Sequence, residues 1–377
     1  MIHFDRNQKV LLVLLQAGLW VKEVRLAKFD EIDYTSILRQ AEEQSVVGLV
    51  TAGLDKVSGV KLPQAQVLQF VGSSLQIEQQ NLAMNQFVAD LINKLREADI
   101  YALLVKGQGI AQYYEKPLWR SSGDVDLLLS EENYRKANML LSSIAASVDE
   151  EDEYSQHIAM TIDGWSVELH GTLRSGLWRR IDKALDKVQE AVFYGGSVRS
   201  WQNGSTQVFL PGINEDVFFV FSHILQHFYK EGIGLRQICD WCRLLWTYRE
   251  KIDVKLLEKR LREAGVMSEW KTFGALAVEY LGMPEEAMPM FGSSAQEFKG
   301  KADKVMKFVL ETGNFGHNRN YSYRQKHSYL VFKAISMWKH IQDFGRYFVI
   351  FPLDAIKVTW NRMILGLSVV LKGKKHE

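Results

Sequence analysis

The sequence predicts an α+β protein in which a small mixed β-sheet is embedded between mostly helical N-terminal and C-terminal regions. Only six prolines interrupt the 377 residues, and apolar residues recur at helical spacing on both sides of residues 99–210. Within that central stretch, short apolar runs end at glycine-containing turns, as strands do. Hydrophobic residues make up 47% of the chain and charged residues 24%, which is typical of a globular protein and excludes a disordered or fibrous one.

Three helices are predicted before the sheet, at residues 8–24, 34–54 and 63–97. The first follows a basic start and resembles a signal peptide, but Gln16 interrupts its apolar run and no small-residue cleavage motif follows. We therefore expect a buried first helix in a cytoplasmic protein.

The two cysteines, Cys239 and Cys242, stand within a helical pattern and no second cysteine pair follows them. This arrangement favours two half-buried thiols in a reducing compartment over a zinc site.

The sheet is predicted to begin with a strand at residues 100–105, which ends at Lys106-Gly107-Gln108-Gly109. A short helix at 110–115 and a second strand at 124–129 follow, and Ser130 caps a helix that reaches residue 144.

Two hairpins complete the predicted sheet. The first pairs residues 156–162 with 165–169 around an Asp163-Gly164 turn, and the second turns at Asn203-Gly204. The remaining helices are predicted at 214–229, 235–250, 254–264 and 267–281. This order divides the chain into a helical region (1–98), an α/β core (99–212), a helical domain (213–320) and a basic, aromatic helical segment (321–377).

Side chains on a strand alternate between its two faces, so Asp124 and Asp126 project from the same face. Two carboxylates this close repel each other unless a cation lies between them, and Mg²⁺ takes carboxylate and phosphate oxygens. The same alternation puts Glu168 and His170 on one face of a later strand. If the two strands are neighbours, Glu168 completes a three-carboxylate metal site, and His170 either orients the substrate or hydrogen-bonds a ligand.

Lys106 and Gly107 stand where a strand ends and a helix begins, so backbone N–H groups and a cation face an incoming phosphate there. Gly107 and Gly109 allow close approach without a Cβ, and the guanidinium fork of Arg120 is a second candidate for binding phosphate. Solvated surface positions are the alternative for Lys106 and Arg120. A phosphate cradle, an arginine and a carboxylate cluster together indicate metal-assisted phosphoryl or nucleotidyl transfer.

As an ordered set, these motifs resemble the uncharacterised nucleotidyltransferase family of the DNA polymerase β-like superfamily. The resemblance covers roughly residues 8–250 and rests on the stretches 43–49, 104–107, 120–128, 167–170, 223–227 and 235–240. It implies an enzyme that transfers an NMP from an NTP to an acceptor hydroxyl with two Mg²⁺ ions, for which Mn²⁺ can substitute.

The resemblance also assigns roles to residues of this chain. Asp124, Asp126 and Glu168 would be the metal ligands and the catalytic residues, and Glu168 would also take the acceptor proton. The nucleotide and cofactor contacts would come from Lys106, Gly107, Gly109, Arg120, His170, Arg236 and Asp240. Arg236 and Asp240 belong to a block that lines the cleft in the resembled family, although residues i and i+4 of a helix also pair with each other.

Two departures from the superfamily keep a second function open. Lys106-Gly107-Gln108 stands where the superfamily usually has Gly-Ser, and the gap to Asp124 is longer than in its commonest members. The alternative is a catalytically silent nucleotide-binding or antitoxin-like interaction module. A glycosyltransferase with a D-x-D motif is disfavoured, because residues 1–98 predict helices where that fold needs a nucleotide-binding half. The sequence leaves the acceptor, the base of the NTP and the oligomeric state open.

Residues 321–377 carry ten Lys and Arg against three acidic residues, whereas residues 1–320 carry 36 against 42. Ten aromatic residues share this C-terminal segment. It is interpreted as a helix pair docked on the core, as a peripheral contact with the inner face of an anionic membrane, or as an RNA-binding surface. An RNA-binding surface is the least favoured of the three, because the segment is too apolar for nucleic acid alone. The charge argument against a polyanionic partner applies only to residues 1–320.

Overall fold

A computed structural model of the chain describes residues 4–292, 295–314 and 344–371, with the backbone alone at 295 and 362–371. Residues 321–343 and 372–377 of the basic, aromatic segment lie outside this description. The described residues form mostly helices around one mixed seven-stranded sheet. This is the predicted α+β class.

Four helices precede the sheet: α1 (Arg6–Trp20), α2 (Tyr34–Glu43), α3 (Val47–Leu54) and α4 (Gln64–Glu97). A parallel pair of two-residue strands, β1 (Val24–Arg25) and β2 (Val57–Ser58), accompanies them. Asp5 caps α1 through its carboxylate, which accepts a hydrogen bond from the Gln8 backbone N–H. Helix α1 is largely buried, as predicted.

The predicted helix 34–54 was wrong in one respect, because the structure has two helices there. Ser45 adopts a positive φ of 55° between α2 and α3. This backbone conformation ends a helix, and the break lets the Gln44 side chain accept a hydrogen bond from the Leu235 N–H.

The central strands and helices are β3 (Ala102–Val105), α5 (Gly107–Ala111), β4 (Asp124–Leu129), α6 (Glu131–Ser142), β5 (Ser147–Val148), β6 (His157–Ile162), β7 (Trp165–His170), α7 (Arg179–Phe193), β8 (Val198–Asn203) and β9 (Thr206–Pro211). The sheet order is β5-β6-β7-β4-β3-β9-β8. Strands β4 and β7 are parallel neighbours, and so are β3 and β9, whereas the other pairs are antiparallel. Both predicted hairpins are present, while α5 begins at Gly107 instead of the predicted residue 110.

The C-terminal helices are α8 (Ile213–Lys230), α9 (Leu235–Tyr248), α10 (Val254–Ala264), α11 (Met267–Leu281), α12 (Ala295–Thr312) and α13 (Pro352–Leu371), and residues 344–350 before α13 are also helical. None of the helices in the described parts of the chain combines the length and the hydropathy of a membrane-spanning helix.

Two hydrophobic cores hold the sheet, one against each face. Val125, Leu127 and Leu129 of β4 pack with α4 and α6 on one face. Leu128, on the opposite face, joins a larger core made by the N-terminal and C-terminal helices. Asp124 and Asp126 share the face of Leu128, at the end of β4 where the helices leave a cleft. The fold therefore exposes one end of one sheet face.

Candidate active site

Three carboxylates meet at that end of the sheet. Asp126 of β4 lies directly opposite Glu168 of β7, and Asp124 lies two residues before Asp126 on the same face of the sheet. One oxygen from each of Asp124, Asp126 and Glu168 lies within 4.8 Å of the others. The sequence predicted this three-carboxylate cluster only if the strands of Asp124 and Glu168 are neighbours, and β4 and β7 are neighbours in the sheet.

The charges of these groups influence one another strongly. The charge of Asp126, followed by burial, raises the pKa of Asp124 above its ordinary value. Burial alone would raise the pKa of Glu168 as well, but hydrogen bonds from His157 and His170 and the charge of Lys106 lower it below its ordinary range. The cluster is therefore negatively charged at neutral pH, and cations offset the repulsion within it.

Lys106 supplies one of these cations. It follows β3 directly, with a positive φ of 59°, and its Nζ lies 2.7 Å from Asp126 Oδ1 and 3.3 Å from His223 Nε2. Burial opposes the charge, but Asp126, Asp124 and Glu168 together raise the pKa of Lys106. An ammonium group thus lies among the carboxylates, which is where an incoming cation or phosphate would bind.

Two histidines complete the polar face of the β6–β7 hairpin. His157 and His170 are opposite each other across the two strands. His170 Nε2 lies 2.9 Å from Asp126 Oδ1, and His157 Nε2 lies 3.1 Å from Glu168 Oε2. Burial would lower the pKa of His170, but its hydrogen bonds to Asp126 and Glu168 raise it.

Helix α8 forms the facing wall with His223 and His227, whose Nε2 atoms are 2.8 Å apart. Burial, together with the charge of Lys106, holds the pKa of His223 well below its ordinary value. His223 is therefore neutral and accepts a hydrogen bond from the Lys106 ammonium. The side chains of His223 and His227 both line the cleft.

Arg120 and Asp240, both predicted to bind nucleotide, are bonded to each other. Arg120 Nε and Nη2 donate to the two oxygens of Asp240 at 2.9 and 2.7 Å, and the Tyr114 hydroxyl donates to the same carboxylate at 2.7 Å. Arg120 is 6% exposed and Asp240 4%. The aspartate that helical spacing suggested as a partner for Arg236 thus forms its bidentate ion pair with an arginine 120 residues away in sequence.

The other predicted residues separate into two groups. Arg236 donates to the Ser121 carbonyl at 2.8 Å and lines the cleft, as Gly107 does. Burial and the charge of Arg120 lower the pKa of Arg236. Gly109 instead lies against Leu210 of β9, where an added Cβ would come within 2.8 Å of a side-chain methyl. Its role in the structure is packing of α5 on the sheet.

The cleft between the sheet and α8 has a volume of about 1330 Å³. The carboxylates, Lys106 and the histidines line its floor and one wall, and the acidic loop 150–153 forms part of its rim. This acidic loop therefore borders the site.

The contribution of His157 was not predicted, although the sequence held a signal for it. Counting residue pairs outward from the Asp163-Gly164 turn places His157 opposite His170. The sequence predicted the hairpin itself but not the place of His157 in the site.

The carboxylate cluster fits a hard divalent cation. Its ligand atoms are carboxylate oxygens, which Mg²⁺ and Mn²⁺ prefer, and they are close enough to bind one ion together. Repulsion from Asp126, which together with burial raises the pKa of Asp124, is what a metal ion at this position would relieve.

Comparisons with known proteins agree with this geometry. A family model described as an uncharacterised nucleotidyltransferase matches residues 30–282. Searches of curated proteins and of solved structures give no match. The matched region covers well over half of the chain and contains all three carboxylates, both hairpins and the cleft-lining helix α8. The chain belongs to the uncharacterised nucleotidyltransferase family.

Proposed function

We propose that the protein is a Mg²⁺-dependent enzyme that transfers an NMP from an NTP to an acceptor hydroxyl. The observation that carries this proposal is the convergence of Asp124, Asp126 and Glu168 on one end of the sheet, with oxygens within 4.8 Å of one another. Membership of a nucleotidyltransferase family supports it.

The three carboxylates would hold the metal ions, two Mg²⁺ in this proposal, with Mn²⁺ as a substitute. When bound, such ions supply Lewis-acid stabilisation of the phosphate charge during displacement at phosphorus. The same oxygen atoms suit either ion.

The side chains around the cluster have separate tasks in this proposal. Lys106 and Arg236 line the cleft as cations and bind the triphosphate. Gly107 has a φ of +42°, and a Cβ there would lie 3.6 Å from the Asp124 carbonyl oxygen. Without that Cβ, a phosphate can approach the backbone closely. Glu168, ionised because its pKa is lowered, accepts a hydrogen bond from the acceptor hydroxyl.

The reaction then forms one bond and breaks one. The acceptor oxygen bonds to the α-phosphorus as the bond from that phosphorus to the β-phosphate bridging oxygen breaks. Pyrophosphate leaves, and the acceptor proton passes to Glu168. His170, bonded to Asp126, keeps that carboxylate oriented towards the cleft.

The cleft volume of about 1330 Å³ exceeds the roughly 300–1,000 Å³ of ordinary small-molecule sites. This size supports simultaneous binding of a nucleotide and an acceptor. The acidic rim formed by residues 150–153 disfavours a polyanionic acceptor such as RNA, because like charges repel at short range.

A second candidate function is a nucleotide-binding or antitoxin-like module without catalysis. The ion pair between Lys106 and Asp126 favours it, because the ammonium occupies one carboxylate that a metal ion would need. Gln108, where the superfamily has serine, is buried and bonded to Asn81 and Ser122. Glutamine has no hydroxyl to offer a γ-phosphate, and these hydrogen bonds engage its amide within the fold.

Pyrophosphate release separates the two candidates. The full chain is incubated with Mg²⁺, each of the four NTPs and a panel of hydroxyl acceptors. An enzyme releases pyrophosphate and labels an acceptor with the α-phosphate, and Asp126→Asn abolishes both signals. A silent module binds NTP with Mg²⁺ but releases no pyrophosphate. Release that Asp126→Asn leaves unchanged would refute the assignment of the site.

We also propose that the protein acts in the cytoplasm and contacts the membrane peripherally through α13. Leu353, Ile356 and Trp360 are 70, 49 and 63% exposed along one side of the helix, beside Lys357, whose ammonium is ion-paired with Asp354 at 2.7 Å. An exposed apolar stripe on an amphipathic helix suits the interface of an anionic membrane. The free, buried thiols Cys239 and Cys242 support a reducing compartment.

Vesicle flotation tests this contact. The full chain is expected to float with phosphatidylserine vesicles and the Leu353→Ser/Trp360→Ser double variant to stay behind. Point variants are preferable to truncation, because Tyr347 and Phe351 are buried in the main core. Equal flotation of both proteins would refute membrane contact through this face.

A further inference from the structure

A second group of possible metal ligands adjoins the carboxylate cluster. His157, Glu168 and His170 each offer one ligand atom, and these atoms lie within 4.8 Å of one another. The two histidines are paired across β6 and β7, and Glu168 lies two residues before His170 on β7, on the same sheet face. Two adjacent strands, not a flexible loop, thus fix the positions of all three ligands.

The distances match those between neighbouring ligands of one metal ion. Glu168 Oε2 is 3.1 Å from His157 Nε2 and 3.5 Å from His170 Nε2. Ligands at about 2.1 Å from a metal ion are separated by roughly 3.0 Å at an octahedral edge and roughly 3.4 Å at a tetrahedral one. A metal ion fits this group when both Nε2 atoms are deprotonated. Metal binding would then replace the hydrogen bonds that His157 and His170 make through Nε2 to Glu168 and Asp126 in the metal-free protein.

The ligand types point to a different ion from the one expected at the carboxylates. Imidazole nitrogens suit first-row transition metals, whereas Mg²⁺ takes oxygen ligands. The side chains of His157, Glu168 and His170 are 32, 25 and 18% exposed, and all three line the cleft. Two histidines and one carboxylate on one face leave coordination positions open on the cleft side.

We propose that His157, His170 and Glu168 bind a divalent transition-metal ion such as Mn²⁺, Co²⁺ or Zn²⁺, next to the carboxylate cluster. Glu168 belongs to both groups, so the two metal positions adjoin. The proposed position has nitrogen and oxygen ligands, whereas the carboxylate cluster has oxygen ligands alone. The site thereby extends the proposed function, with which it shares Glu168. Its open positions face the same cleft in which a phosphate or an acceptor oxygen would bind.

The test uses Co²⁺ as the probe and no nucleotide, so the metal site and nucleotidyl transfer can fail independently. Untagged full chain is stripped with a chelator, and Co²⁺ is titrated while visible absorption and calorimetry follow binding. Pulsed electron paramagnetic resonance of the Mn²⁺-loaded protein reports ligation by histidine nitrogen. Thermal unfolding of the metal-free variants confirms that each one folds.

We expect His157→Asn to weaken Co²⁺ binding by at least about tenfold and to remove one nitrogen ligand, and His170→Asn to do the same. The matched control is His227→Asn, which removes a histidine of the same cleft that lies outside the proposed ligand set, and it should leave Co²⁺ binding unchanged. Binding that His157→Asn leaves at the wild-type affinity, or that His227→Asn abolishes, would overturn the proposal. Absence of nitrogen ligation in the metal-loaded wild type would overturn it too.

Discussion

Replacement of Asp240 by asparagine is predicted to destabilise the fold severely. Asp240 and Arg120 form a bidentate ion pair that is almost fully buried, and the Tyr114 hydroxyl donates to the same carboxylate. Asp240→Asn leaves the guanidinium charge buried without an anion. Breaking one side of such a pair costs about 3–5 kcal/mol, a large share of the roughly 5–15 kcal/mol by which whole domains are stable.

The chain contains a matched control for this perturbation. Arg174 and Asp186 form the same two-bond geometry, at 2.8 and 3.0 Å, but on the surface, with side chains 40 and 35% exposed. Asp186→Asn should lower the free energy of unfolding by at most about 1 kcal/mol, because water and salt screen exposed pairs.

Urea unfolding followed by tryptophan fluorescence measures both losses. Adding Arg120→Gln to Asp240→Asn should recover part of the stability, because the second change removes the unpaired buried charge. Equal, small losses for Asp240→Asn and Asp186→Asn would refute the reasoning. So would an Asp240→Asn variant that keeps its unfolding free energy but loses NTP affinity, since that result would mean that the pair serves ligand binding instead of the fold.

Two further predictions concern packing and pH. Gly53→Ala should lower the unfolding free energy by about 1–3 kcal/mol, because its new Cβ would overlap the Leu14 carbonyl where α3 crosses α1. The new Cβ of Gly72→Ala in α4 meets open space, so this variant should raise the unfolding free energy by about 0.5–1 kcal/mol. Equal changes in a urea titration would contradict the crossing geometry. Burial and the charge of Asp354 raise the pKa of Glu269 to about 8, so between the ordinary carboxyl value and pH 8 the folded chain keeps a proton that the unfolded chain releases. The stabilisation from protonated Glu269 is complete at acidic pH and is lost as pH rises to about 8, with a slope of at most about 1.4 kcal/mol per pH unit. Glu269→Gln should flatten this pH dependence of the unfolding free energy. An unchanged slope would show that Glu269 titrates normally.

The sequence predicted the parts of the site that depend on local patterns. Strand alternation placed Asp124 with Asp126, and Glu168 with His170, on shared faces, and the Asp163-Gly164 turn predicted the β6–β7 hairpin. The position of His157 opposite His170 in that hairpin was not predicted. The parallel pairing of β4 with β7 was only a condition in that reasoning, because pairing between distant strands leaves no local signature.

The remaining differences come from long-range partners. Helical spacing offered Arg236 as the neighbour of Asp240, yet Arg120 from the segment before β4 takes the bidentate contact. Helix α7 escaped prediction although Ile181, Leu185 and Val188 carry a helical apolar pattern.

The central claim is that Asp124, Asp126 and Glu168 form a metal-dependent nucleotide site, and calorimetric titration with a non-hydrolysable NTP tests it most directly. Wild-type protein should bind the analogue in Mg²⁺ and lose binding in a chelator, and Asp126→Asn should weaken binding by at least about tenfold. Asp163→Asn, a matched change at the exposed turn of the β6–β7 hairpin, should bind as the wild type does. Equal affinity in Mg²⁺ and in chelator, or equal affinity of Asp126→Asn and wild type, would contradict the claim.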